Sequence, residues 1–381
     1  MRGPPSEMRA PVAAIILAAG LSSRMRRFKP LLSLGDETVI ERTCTLFRRA
    51  GIHDIRVVTG HRAIELAPLL KMLDVRPVAN PRYREGMFSS VAAGVATVGP
   101  EVEAFFVLPV DVPLVRSATV RRLVTAFRAG SGDIVYPCFR GERGHPPLIR
   151  AGLAGKILLW NGNDGLKGAL AQWEQQACDI QVADSHILTD MDTPAEYRFL
   201  RKRATSIDIP SEAECRSLLE TVLGVAEPIV RHGQAVARLS VKLGRALNRS
   251  GARLDLQLLE AAGLLHDLAR NESDHALAGA RLLQDQGFGA VAPLVASHMD
   301  LVVNESKPVS AAEVLFLADK LVKEDRPVSL EQRFAATMER HAGEPIILKR
   351  IVSRQETALT IRKRLEAKLG HSLAQVIGHA P

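Results

Sequence analysis

The stretch Val12–Leu32, VAAIILAAGLSSRMRRFKPLL, decides the fold. An apolar run from Val12 to Leu17 passes into three small residues, Ala18, Ala19 and Gly20, and then into Arg24, Arg26, Arg27 and Lys29. An apolar run bounded by such a turn predicts a strand buried on both faces, as in a parallel sheet. Open sheets of that kind bind ligands beyond the carboxyl ends of their strands. Small residues let the backbone come close, and N–H groups exposed in the turn bind phosphate oxygens. Arg24 then offers a planar fork and Lys29 a flexible point charge. Taken alone, the same residues also suit a solvated basic turn.

Working outward, further strands are expected in DIRVVTG, VRPVAN, AFFVLPVD and DIVYPCF, with helices in TVIERTCTLFRRAG and SATVRRLVTAFRAG between them. Strands alternating with helices over residues 11–200 predict an α/β, doubly wound, mostly parallel sheet. The segment 201–210 is charged and reads as a linker. Pro210, Ser211 and Glu214 then mark a helix start with a capping box. From 211 to 375 no strand is evident, and AECRSLLETVLGVA, GQAVARLSVKLGRALN, LQLLEAAGLLHDLA and HALAGARLLQDQGF have the period of amphipathic helices. The expectation is therefore an α/β domain followed by an all-α domain. No internal repeat or low-complexity tract interrupts them.

The chain has 381 residues, enough for two domains, and a formal charge of +8, which favours anionic partners. The positive charge sits in turns rather than long runs, which favours phosphate-bearing small molecules. Aromatic residues make up only 4%, too few for a base-stacking surface, so nucleic acid is a poor partner. Cys44, Cys138, Cys178 and Cys215 are scattered and read as small buried hydrophobes of a reducing compartment. No apolar run reaches the roughly 18 residues of a membrane span, and the N-terminus lacks a signal-peptide core. A cytoplasmic protein with no membrane association is expected.

Two acidic positions bear on the first domain. Asp111 ends the run FFVLPVD, where its carboxylate can hold Mg²⁺ in the crevice or cap the next helix. Asp190 and Asp192 precede a Thr-Pro helix start, and Asp192 suits either a second metal ligand or a cap.

The motifs LAAGLSSRM with Lys29, NPRYREGMFSSV, DVPLV, GHPPLI, GNDGLKGAL and DMDTPAEY resemble, in order, the molybdenum cofactor nucleotidyltransferases over residues 12–200. The LAAG form is similar to the cytidylyltransferase branch. The resemblance implies a fold like that of the nucleotide-diphospho-sugar transferases. It implies that Leu17, Ala18, Ala19, Gly20, Ser22, Ser23, Arg24, Lys29, Ser89 and Asp111 bind the nucleotide, with Ser90 beside them. Arg24, Lys29 and Asp111 would be catalytic, and Asp111 and Asp192 would hold Mg²⁺. Gly144, His145, Pro146, Asn163 and Asp164 would form the acceptor side. Two departures stand out. Arg26 replaces the glycine of the family's RMG, and Asn163 replaces an aspartate after Gly162.

In the second domain, His232, His266, Asp267, His275, His298 and Asp319 are residue types that ligate metals, although a single histidine on such a helix is usually structural. His266 and Asp267 follow the apolar AAGLL, where polar side chains need partners. Imidazole with carboxylate suits Fe, Mn, Co or Zn. The order H…HD…D over residues 225–330 resembles the HD-domain metal phosphohydrolases. The resemblance implies that His232, His266, Asp267 and Asp319 hold one metal, that His275 and His298 help hold a second, and that Asp267 is catalytic. Water activated by the metals would attack phosphorus.

Together these resemblances imply a bifunctional enzyme. It would transfer CMP from CTP to a molybdopterin-type phosphate, with release of pyrophosphate, and hydrolyse a phosphoester. A molybdoenzyme or its maturation factor would be a partner. The alternative is a sugar or alditol phosphate acceptor, with the helical domain as a ligand-sensing regulator.

Overall fold

The computed structural model describes residues 10–21, 24, 25 and 27–378. Ser22, Ser23 and Arg26 lie outside them. The chain divides into two compact units between Ile207 and Asp208. This division falls inside the segment read as a linker, but Arg201–Ala204 are not linker. They complete the helix Pro194–Ala204, because their side chains continue a good helical sequence that no glycine or proline interrupts.

The first unit is built on a sheet of β1 (Val12–Leu17), β2 (Asp54–Thr59), β3 (Arg76–Ala79), β4 (Ala104–Pro109), β5 (Ile134–Phe139), β6 (Leu148–Arg150) and β7 (Ala177–Gln181). Their spatial order is β7-β5-β6-β4-β1-β2-β3, and Glu142–Arg143 pairs alongside β5. Both neighbours of β1 are parallel to it, with Leu17 level with Val58 on one side and Pro109 on the other. Every residue of β1 is buried, as its unbroken apolar sequence requires for a strand covered on both faces. All five strands expected from the sequence are present. Two were not anticipated. β6 has three residues, too few for a period, and runs antiparallel to β4 and β5. β7 is a partly exposed edge strand parallel to β5.

Helices cover the sheet. α1 (Val39–Arg49) starts at a capping box between Thr38 and Glu41. α2 (Ala63–Met72) and α3 (Met87–Val95) follow β2 and β3. Gly94 lets α3 lie directly on the sheet, since a Cβ there would come within 2.4 Å of Ile15 Cγ2. α4 (Ser117–Arg128) follows β4, and α5 (Pro194–Ala204) closes the unit.

The second unit is helical: α6 (Glu227–Arg249), α7 (Leu256–Leu265), α8 (His275–Asp285), α9 (Ala292–Ser297), α10 (Ala311–Lys320), α11 (Leu330–Arg340) and α12 (Pro345–Leu369). The expected capping box of Ser211 and Glu214 is formed. Three details differ from expectation. The helix begun there passes at Ser217 into a wider π-type turn ending at Val222. The helix expected through Ala269 ends at Leu265, so His266 and Asp267 sit at its C-terminal edge. A two-residue hairpin, Val322–Lys323 with Arg326–Pro327, follows α10.

Two glycines bring α6 and α7 together. A Cβ on Gly263 would lie 2.5 Å from Ala237 Cα, and one on Gly233 would lie 2.6 Å from the Leu264 carbonyl. His232 and His266 stand beside these contacts, with ring centroids 5.1 Å apart. Among the described residues no helix is long and apolar enough to cross a membrane.

Candidate active sites

In the first unit a cavity of about 480 Å³ opens beyond the carboxyl ends of β1 and β4. Leu17, Ala18, Ala19, Gly20, Arg24, Lys29, Ser90, Asp111 and Asp192 all line it. The Ala18 N–H is taken by the Val58 carbonyl at 2.9 Å. The N–H groups of Ala19, Gly20 and Leu21 meet no acceptor among the described residues, which leaves them available to an anion.

Lys29 is buried, and its Nζ donates to Asp111 Oδ2 at 2.9 Å and to Asp192 Oδ1 at 2.7 Å. Burial disfavours its charge, yet the two carboxylates outweigh that effect and raise its pKa. Arg24 pairs with the other oxygen of Asp192 at 2.7 Å. Neither carboxylate is a helix cap. α4 starts after Arg116, and the capping box of α5 joins Thr193 and Glu196. Glu196 Oε2 also accepts from the Asp192 N–H at 2.8 Å, so the cap fixes the Asp192 backbone and leaves its carboxylate to the cavity. Asp190 stands beside this group. Burial and then the charge of Asp192 push its carboxyl above the usual range.

Other expected residues are placed differently. Ser89 is turned away from the cavity. Its hydroxyl donates to the Arg82 and Gly86 carbonyls and accepts from Asn80, which ties down the loop before α3. His145 is exposed to solvent, within the field of Asp111 and Asp190, and desolvation by the surrounding protein lowers its pKa. Gly144 packs against Ile187, and a cis peptide joins His145 to Pro146. Asn163 and Asp164 do not line the cavity. Both are exposed, and Asp164 precedes the short helix Gly165–Ala171 in a left-handed conformation, because this loop turns sharply on the surface. Tyr83, Arg84 and Met87 also line the cavity; they belong to the segment Asn80–Ser90, NPRYREGMFSS, which the resemblance places along the nucleotide and pterin crevice.

In the second unit all six expected ligands converge. Asp267 Oδ1 lies 3.4 Å from Nε2 of both His275 and His298, and Asp319 Oδ1 lies 3.1 Å from His232 Nε2 and 3.6 Å from His266 Nε2. The Nδ1 atoms of His232, His266 and His298 donate to the carbonyls of Glu324, Gly263 and Val295 at 2.6, 2.9 and 2.7 Å. With that proton fixed on Nδ1, each Nε2 presents a lone pair toward a carboxylate oxygen. Two acceptors face each other only with a cation between them. The Nε2 atoms of His266 and His298 are buried without a hydrogen-bond partner among the described residues. The residues therefore fit a metal. Burial opposes the charge of Asp319, but the Lys320 ammonium outweighs it and holds that carboxyl below the usual range. Lys320, which the sequence reading passed over, donates to Asp319 Oδ2 at 2.7 Å.

A nucleotide cradle on an open sheet and a histidine–aspartate cluster in a helical unit define two catalytic classes on one chain, a nucleotidyltransferase and an HD domain. Residues 14–177 match the family described as the MobA-like NTP transferase domain, and residues 229–324 match the HD domain. The chain is thus an enzyme that carries an N-terminal nucleotidyltransferase domain of the cytidylyltransferase-like kind and a C-terminal HD domain. The molybdenum cofactor cytidylyltransferase of Escherichia coli (strain K12) is 28% identical over 199 residues, covering 51% of this chain and 98% of that protein. The choline-phosphate cytidylyltransferase of Haemophilus influenzae is 40% identical over 77 residues, 19% of this chain and 33% of its own length. A nucleotidyl transferase structure from Methanothermobacter thermautotroptrophicus is 27% identical, with a TM-score of 0.45, covering 51% of this chain and 97% of that one.

Proposed function

We propose that the first domain transfers CMP from CTP to a molybdopterin-type phosphate. The observation that carries this reading is the cluster of Lys29, Asp111 and Asp192 beside the N–H groups of Ala19–Leu21, which meet no acceptor among the described residues. The N–H groups, Lys29 and Arg24 bind and orient the triphosphate. Asp111 and Asp192 would hold Mg²⁺, which would supply charge neutralisation on the phosphates. An oxygen of the acceptor phosphate attacks the α-phosphorus, the bond to the bridging oxygen breaks, and pyrophosphate leaves. A phosphate acceptor is ionised at pH 7, so positioning and charge suffice without a strong base. Gly144, His145 and Pro146 lie on the acceptor side of this reading.

We infer that the HD domain is a phosphohydrolase holding one or two ions of Fe, Mn, Co or Zn. His232, His266, Asp267 and Asp319 would hold the first, with His275 and His298 toward the second. Such ions supply Lewis acidity and lower the pKa of water. Arg270 anchors Asp267, and the carbonyls of Glu324, Gly263 and Val295 keep the imidazoles in ligand orientation. A molybdoenzyme or its maturation factor would receive the product, and the cytoplasm is the place where such substrates meet the enzyme.

The test follows pyrophosphate release from CTP, GTP, ATP and UTP with Mg²⁺ and molybdopterin. Release that needs CTP and the pterin and is lost in Asp111→Ala supports the proposal. Release only with sugar, alditol or choline phosphates favours the second reading, to which the choline-phosphate cytidylyltransferase similarity points. In that reading the HD domain senses a ligand. Absence of metal-dependent phosphoester hydrolysis in the full chain would support that role.

A further inference from the structure

The histidine–aspartate cluster opens into a cavity of about 330 Å³, at the lower end of the range for small-molecule sites. Five cations line it: Arg270, Lys320, Arg333, Arg340 and Arg354. Three are already neutralised. Arg270 pairs with Asp267, Lys320 with Asp319, and Arg354 with Asp300 at 2.7 and 2.8 Å. Arg333 and Arg340 differ. Neither guanidinium has a carboxylate or carbonyl partner among the described residues. They stand seven positions apart on α11, two turns along one face. Thr337 lies between them, but its hydroxyl donates to the Arg333 carbonyl, so the two arginines are the donors of this wall.

A metal-bound phosphate answers to the cluster. It leaves two uncompensated guanidinium groups in the same cavity, in the field of the metals. Arg333 is half-buried and Arg340 exposed, both on the wall of the cavity, and a planar fork is the group best matched to a phosphate or carboxylate. We propose that Arg333 and Arg340 form a second anion subsite, and that the HD domain acts on a small molecule bearing two anionic groups, such as a diphosphate, rather than on a single phosphomonoester or a polymer. This inference rests on the reading of the cluster as a metal site.

The test uses the full chain loaded with Mn²⁺, in an Asp111→Ala background that removes competition from the transferase cleft. Binding of methylenediphosphonate, a bis-anion that cannot be hydrolysed, and of methylphosphonate, which has a single anionic group, is measured by titration calorimetry. The expected result is a preference for the diphosphonate that falls about tenfold or more in Arg333→Ala/Arg340→Ala, with methylphosphonate binding and metal content unchanged. Arg333→Lys/Arg340→Lys should keep part of the preference. Equal preference in the alanine variant and its parent overturns the subsite. Failure of the parent to retain Mn²⁺ overturns the metal reading instead, and the metal content tells the two failures apart.

Discussion

The ammonium of Lys29 lies 2.7 Å from Oδ1 of Asp192, a residue 163 positions later in the chain. The contact joins the turn after the first strand to the residue just before the cap of the last helix of the unit. With Asp111 at 2.9 Å, one buried cation serves two carboxylates.

Replacing that cation tests the transferase site. Lys29→Met keeps the length of the side chain and removes its charge. Loss of one preorganised charged donor lowers kcat by about 10²–10³. Pyrophosphate release from CTP at saturating Mg²⁺ measures it. A variant with unchanged kcat would show that Lys29 only neutralises the carboxylates.

Removal of metal should weaken the helical unit. A ligand at 100 times its Kd adds about 2.7 kcal/mol, or roughly 5–10 °C in Tm for a domain of this size. Treatment with a chelator should therefore lower the Tm of that transition, and added Mn²⁺ or Fe²⁺ should restore it. His266→Ala and His298→Ala should each lower the metal content found by mass spectrometry. Full metal content in both variants would contradict the proposed ligand set.

The glycine contact between α6 and α7 predicts a change far from any charge. Gly263→Ala would push its methyl to 2.5 Å from Ala237 Cα, where backbone must move. Overpacking of this kind costs about 1–3 kcal/mol. Because His266 follows three residues later, metal affinity should fall with stability. Denaturant melts and metal titration of the same variant check both effects.

Cys44 is buried on α1, and that burial pushes its thiol up to about 12. Below that pH the thiolate is scarce, so native Cys44 should resist iodoacetamide at pH 8 and react once the protein is unfolded. Peptide mapping after labelling shows the result. Rapid native labelling would mean that α1 opens locally.

How much of this was legible in the sequence depended on length of signal and on contact range. β1 announced itself through a run of buried apolar residues, and Asp111 through its place at the end of β4. Asp192 was ambiguous because Asp-Thr-Pro suits a cap, and only the structure shows Thr193 taking that role. β6 escaped because three residues carry no period. Asn163 and Asp164 were placed at the acceptor side through a motif, yet a motif does not say which way a surface turn faces. The six candidate ligands of the helical unit were legible by residue type, whereas Arg333 and Arg340 were not, since arginines spaced seven apart on a helix look like any solvated face.

The short strand β6 has a consequence for how the protein is made. It is the seam of the sheet: Ile149 sits opposite Phe105 of β4 and Ile134 of β5, which do not pair with each other. β5 therefore leaves the ribosome before the strand that attaches it. The four strands β1–β4 can assemble first, while β5 waits for residues 148–150 to close a non-local contact. The peptide segment that completes this closure begins just after His145, so the turn at His145 and Pro146 is fixed only when β6 docks, and β7 adds to the free edge of β5 afterwards.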